Sequence, residues 1–184
     1  MTSSKYALVE RERRFLVPTL PPDEPSARWT ITDLYVEGTR IRVRRVEGIV
    51  NGQPDLACKL TQKIPDSLGP TGRCGFITNM YLSEEEYARF ASLPGARLRK
   101  ERLSFPPMGV DVFGGPLTGL IVAEAEFADD ETMTAFQPPR WCGREITDHP
   151  PLTGAKLARI AAMPHDDAKS ALAQALAFRG PDNE

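Results

Sequence analysis

Cysteine and histidine are scarce in this chain of 184 residues, and its formal net charge is only −2. The three cysteines, Cys58, Cys74 and Cys142, are odd in number and lack metal-ligand spacing, so they read as reduced, packed thiols. The two histidines, His149 and His165, stand alone beside Pro150 and Pro164 and read as loop residues without a role. Near-zero net charge argues against a general nucleic-acid binder, which is usually strongly basic. No apolar run approaches the length of a transmembrane helix, and the polar N-terminus lacks the hydrophobic region of a signal peptide. A cytoplasmic location is expected. No internal repeat is present, and the length suits one domain over residues 1–184.

Charge is present, but it is segregated by sign. Between Arg40 and Lys63 lie six basic residues (Arg40, Arg42, Arg44, Arg45, Lys59, Lys63) against Glu47 and Asp55. Between Met108 and Asp130 lie five acidic residues (Asp111, Glu124, Glu126, Asp129, Asp130) and no basic one. Opposite signs on different segments of one domain can meet around a shared cavity.

The spacing within these segments is that of strands. KYALVERERRFLV reads as a strand carrying Glu10, Glu12 and Arg14 on one face. Two neighbouring carboxylates repel, and a divalent cation would resolve the conflict; a solvated edge strand is the plainer alternative. Residues 30–46 read as strand with a bend near Glu37-Gly38, and TRIRVRR alternates arginines with Ile41 and Val43. Asn51-Gly52 marks a turn, and DLACKLTQK places Lys59, Thr61 and Lys63 on one face. A Gly/Pro-rich loop leads to a strand at 76–82, and Ser83 with Glu86 forms a capping box for a short helix. Strands are predicted at 97–105, 109–113 and 117–127, the last with Glu124 and Glu126 inside LIVAEAEF. Helices are predicted over about 154–162 and 166–178.

Each strand thus has a charged and an apolar face. With apolar faces inward the chain is a sandwich with a charged surface; with charged faces inward it is a wet barrel covered by helices and loops. Periodicity says only that the faces differ. Segregation of sign favours the inward arrangement, because a soluble surface more often intersperses charges.

Taken in order, these residues resemble the CYTH superfamily, also called triphosphate tunnel metalloenzymes, which includes class IV adenylate cyclases, thiamine triphosphatases and bacterial inorganic triphosphatases. The family's N-terminal ExExK looks like Glu10, Glu12 and Arg14. Its arginine-alternating strand resembles TRIRVRR, and its lysine-bearing strand resembles LACK, ending at Lys59. Its K-x-R pair is similar to Lys100 and Arg102. Its acidic hairpin is similar to VDVFGGPLTGLIVAEAEF with Asp111, Glu124 and Glu126, and its late G-x-E-[VI]-T looks like GREIT with Glu145.

The resemblance implies an α+β, predominantly β, fold: a closed antiparallel barrel over about residues 5–150, open at both ends, with peripheral helices and a C-terminal helical segment at about 154–178. It implies Mg²⁺ or Mn²⁺ held by Glu10, Glu12, Glu124, Glu126 and Glu145. Phosphate contacts fall to Arg14, Arg40, Arg42, Arg44, Lys59, Lys63, Arg73, Lys100 and Arg102, and catalytic roles to Glu12, Arg14 and Asp111. The expected partner is a small molecule bearing a triphosphate, with no sequence-specific nucleic acid and no membrane; the oligomeric state is left open, a homodimer included. Four positions depart from the family pattern. Arg14 replaces a lysine, FITNMYL lacks alternating glutamates, Gly109 replaces an acidic residue and Leu152 an aromatic one. Hydrolysis of a triphosphate is the leading expectation, beside an adenylate cyclase and a tunnel that binds polyphosphate without turnover.

Overall fold

The computed structural model describes residues 5–50, 52–65 and 74–178. The strands β1 (Leu8–Leu16), β2 (Arg28–Val36), β3 (Ile41–Val50), β4 (Gln53–Pro65) and β5 (Cys74–Leu82) precede the helix α1 (Glu84–Ala91). Then come β6 (Gly95–Phe105), β7 (Met108–Phe113), β8 (Ile121–Glu126), α2 (Asp130–Ala135), α3 (Gly154–Ala161) and α4 (His165–Ala177). The eight strands close into a barrel in the order β1-β5-β4-β3-β2-β6-β7-β8. Every neighbouring pair is antiparallel. Closure pairs each strand on both sides, which removes the exposed edges of an open sheet.

Local chemistry sets most boundaries. The stretch expected to bend at Gly38 is a hairpin, with Gly38 at φ 69°, the left-handed region that favours glycine. Both bonds of the capping box hold α1: Glu86 N–H donates to Ser83 Oγ (3.2 Å), and Ser83 N–H to Glu86 Oε2 (2.7 Å). The strand predicted from residue 117 begins only at Ile121, because Gly115–Leu117 forms a 3₁₀ turn with Pro116 in it. Proline has no N–H to give a ladder. The short α2 has no counterpart among the helices expected from periodicity; Asp129 caps it by accepting from the Thr132 N–H at 2.8 Å. Asn51 of the expected turn and the loop at 66–73 fall outside the described residues.

The core has two parts. Outside the barrel, Phe15, Val17, Leu103, Met108, Val110, Ala123 and Ala125 are covered by Phe127, Phe136, Trp141 and Cys142 from the segment after β8. The outward face of β7 and β8, with the adjoining ends of β1 and β6, is therefore covered by apolar side chains, which leaves the charged face there to line the lumen. At one end of the lumen the inward residues turn apolar. Leu98, Phe113 and Val122 pack there against Leu152, Leu157, Ala158 and Ile160.

That second cluster closes the end. Arg14 on β1 donates to the Leu152 carbonyl at 2.8 Å. On β2, diametrically opposite in the strand order, the Tyr35 hydroxyl sits against Gly154. The segment entering α3 thus spans the barrel from wall to wall. The expectation of a lumen open at both ends is corrected: the cavity is a cup under α3.

Gly154 has no room for a side chain, since a Cβ there would fall 2.0 Å from the Tyr35 hydroxyl oxygen. Alanine in a helix normally gains about 1 kcal/mol over glycine. Gly154→Ala should instead lose about 1–3 kcal/mol in urea denaturation, by displacing Tyr35 or α3. A gain in stability would mean that α3 is not seated on Tyr35.

Candidate active site

Residues opposite one another in an antiparallel ladder share a face, so the register reads out the lumen. Glu12 opposes Glu126, and Arg14 opposes Glu124. Arg44 opposes Asp33 on one side and Lys59 on the other. Arg42 opposes Thr61, which opposes Asn79. Arg102 opposes Asp111.

Two buried carboxylates organise the cations. Asp33 is fully buried and accepts both Arg44 Nε (2.6 Å) and Arg44 Nη2 (2.8 Å). Burial works against its charge, but Arg44 and Arg42 outweigh it and hold the carboxyl below its ordinary range. Asp111, also fully buried, accepts Arg102 through Nε (2.6 Å) and Nη2 (2.7 Å), together with a short bond from Lys100 Nζ. Burial pushes the Lys100 ammonium below its ordinary value despite Asp111 and Glu124. Arg102 also reaches Glu124, to which Arg14 Nε donates at 3.3 Å. Burial alone would raise the Glu124 carboxyl, yet Arg102, Lys100 and Arg14 hold it well below the usual range.

Arg42 differs from its neighbours. Its Nη2 reaches Thr61 Oγ1 at 3.4 Å, and that hydroxyl donates to Asn79 Oδ1 at 2.7 Å. Its Nε is 3.7 Å from Asp33, is buried, and has no hydrogen-bond partner. A buried donor left without a hydrogen bond costs free energy until an acceptor arrives.

The carboxylate side of the lumen is strained in the opposite sense. Glu10 accepts Lys63 Nζ at 2.7 Å. Burial, with Glu124 and Glu10 nearby, raises the Glu12 carboxyl above its ordinary value against the opposing pull of Lys63. Like charges directly opposite on a ladder, as with Glu12 and Glu126, are destabilising. Among the described residues no three such groups converge on a single point, because Glu10 is turned to Lys63 and Glu124 to Arg102 and Arg14.

The lumen therefore brings together Glu10, Glu12, Arg14, Arg42, Arg44, Lys59, Lys63, Lys100, Arg102, Asp111, Glu124 and Glu126. Lys59 Nζ lies over the Tyr81 ring, 5.2 Å from its centroid. Arg40 is exposed just before β3, and Arg73 lies outside the described residues. Glu145 is displaced: it accepts Arg13 Nε (3.0 Å) and Nη2 (2.6 Å) on the face of β1 opposite to Arg14. The reason is its bridge to Phe15, an outward residue, which fixes Glu145 outside the wall. Asp111, expected to have a catalytic role, is surrounded by cations, with Lys100 and Arg102 bonded to it. Asp33 is a site residue that strand period did not single out, although a lone acid in the apolar TITDLYV is itself a signal of pairing.

A curated relative, the inorganic triphosphatase of Nitrosomonas europaea, is 30% identical over 149 residues, covering 77% of this chain and 91% of that protein. With the ordered motifs and the closed barrel, this decides the family. The chain belongs to the CYTH superfamily. Two crystal structures of one protein share the CYTH barrel seen here, each with a TM-score of 0.52 and each matching 84% of this chain. One, described as an inorganic triphosphatase, is 24% identical over 96% of its length; the other, described as a hypothetical protein, is 26% identical over 99%. No family model matches the chain.

The position of Glu145 separates this CYTH barrel's wall from its lumen. Glu145→Gln should leave any metal-dependent phosphate release within about twofold, as substitutions away from a site usually do. Loss of the metal response in that variant would return Glu145 to the ligands.

Proposed function

We propose that this chain hydrolyses the triphosphate group of a small molecule, inorganic tripolyphosphate or an organic triphosphate, with Mg²⁺ or Mn²⁺ as cofactor. The observation that carries the reading is the convergence of Arg14, Arg42, Arg44, Lys63 and Arg102 from several strands on one lumen with an unsatisfied Arg42 Nε. The relative named as an inorganic triphosphatase supports it. The donor set also fits a hard dication. Glu10, Glu12, Glu124 and Glu126 offer only oxygen, and burial, together with Glu124 and Glu10, raises the Glu12 carboxyl. When bound, such a cation neutralises phosphate charge and makes water more acidic.

The chain's own residues do the positioning. Asp33 holds the Arg44 guanidinium, and Asp111 the Arg102 guanidinium, in fixed planes that match phosphate oxygens. Arg42 Nε gains the acceptor it lacks. Lys63 exchanges Glu10 for a phosphate oxygen, which frees Glu10 Oε1. The apolar cap of Leu98, Phe113 and Leu152 excludes water from the closed end and strengthens these interactions. Phosphoryl transfer asks little covalent chemistry of a protein, so oriented charge suffices.

Purified protein should release phosphate from tripolyphosphate with Mg²⁺ or Mn²⁺. Silence toward a panel of triphosphates with both metals would refute the reading. Cyclic AMP with pyrophosphate from an ATP incubation would assign a cyclase instead.

A further inference from the structure

We infer that the open mouth of the barrel carries a subsite for the aromatic ring of an organic triphosphate, built on Trp29. The inference rests on the triphosphatase reading and names the substrate class more narrowly.

Trp29 opposes Arg102 on one side and Gly48 on the other, so its indole belongs to the lumen face at the start of β2. Two neighbours fix the ring. Its Nε1–H donates to Asp55 Oδ2 at 2.8 Å, and a Cβ on Gly48 would lie 2.4 Å from Trp29 Cδ1. The missing side chain at Gly48 is the space the indole occupies. A half-buried tryptophan tethered at the rim of a charged cavity contributes nothing to the apolar cap, which lies at the other end.

Beside it is a cavity of about 240 Å³ lined by Trp29, Arg102, Ser104, Pro106, Met108 and Gly109. Pockets for drug-sized ligands run to roughly 300–1,000 Å³, so this one suits a single ring system. Gly109 keeps it clear: a Cβ there would press on Arg102 Cδ at 3.3 Å. Arg102 is the link, because it lines this cavity and also belongs to the buried network with Asp111 and Glu124. A phosphate held by Arg102 places whatever is esterified to it at the mouth, where Trp29 offers an aromatic face. Stacking on an indole accepts any base, since every base has a π-face. The occupant is therefore an aromatic organic triphosphate, with a nucleoside triphosphate as the probe.

The test is calorimetric binding of ATP and of tripolyphosphate to the full chain, in parallel with phosphate release from each. Trp29→Ala should weaken ATP about tenfold or more relative to its effect on tripolyphosphate. Trp29→Phe, which keeps an aromatic face, should recover most of that preference. ATP should also quench tryptophan fluorescence in the wild type, and the quench should vanish in Trp29→Phe, which retains Trp141. Equal losses for ATP and tripolyphosphate in Trp29→Ala, or no loss for either, would overturn the subsite. If neither compound is hydrolysed but ATP binding alone depends on Trp29, the subsite stands and the triphosphatase reading fails.

Discussion

Arg102→Ala should be the most damaging single substitution in the lumen, abolishing triphosphate turnover and lowering stability by about 3–5 kcal/mol. Arg102 is bonded to Asp111 through both nitrogens and to Glu124 through Nη2, and Asp111 is fully buried. Removing the cation leaves two carboxylates in a dry wall with Lys100 and Arg14 as their remaining partners. The pH dependence follows from the sign of the shift. Glu124 is depressed in the fold, against burial, by Arg102 first and then Lys100 and Arg14. Its contribution is present above the ordinary carboxylate range and is lost as pH falls through the depressed value. Without Arg102 that value rises, so acid unfolding should begin at a higher pH than in the wild type. The double variant Arg102→Ala with Asp111→Ala should lose less than the sum of the two single losses, because each single change deprives the other residue of its two-pronged partner. Strict additivity in denaturant titrations would mean that the pair is not coupled.

Glu12→Gln should separate activity from stability. Outer-shell groups of metal sites typically cost 10–100-fold when removed, so removing Glu12 as a proposed ligand should cost metal-dependent turnover at least about 100-fold. The metal-free protein should be as stable as the wild type or more so. Burial, Glu124 and Glu10 raise the Glu12 carboxyl in the fold. Stability from its protonation is therefore full below the ordinary carboxylate range and lost as pH rises through the raised value. At neutral pH the wild type carries that loss and the glutamine variant does not. Thermal melts without metal at neutral and mildly acidic pH check this. A lower melting temperature for the variant with an unchanged metal requirement would make Glu12 structural.

Much of this arrangement was legible in strand period alone. Glu10, Glu12 and Arg14, the Arg42–Arg44 alternation, and Glu124 with Glu126 each fall on the face that the ladder shares. Which face turned inward was not legible, because period two is the same for either. That choice rests on the segment after β8, whose Phe127, Phe136 and Trp141 cover the outer wall. Glu145 shows the same limit in small. GREIT fits the family motif, but its side is set by a single bridge to Phe15, a long-range pairing that no local pattern encodes. The closed end was hidden for a like reason, since Leu152 and Gly154 meet Arg14 and Tyr35 only in the folded chain. Asp33 was there to be read: an acid in an apolar strand needs a cation, and Arg44 stands opposite.

The central claim is that cations from several strands converge on one triphosphate chain. Calorimetric titration of the purified protein with phosphate, pyrophosphate and tripolyphosphate at one salt concentration tests it most directly. Each charge-assisted hydrogen bond that a shorter phosphate chain cannot make costs roughly 1.5–3 kcal/mol, so two missing bonds should weaken binding on the order of a hundredfold or more. Tripolyphosphate should bind tightest, pyrophosphate more weakly and phosphate least, with the spread reduced in Arg42→Ala. Equal affinity for phosphate and tripolyphosphate would contradict the account, because it would mean that these bases do not act on a single ligand.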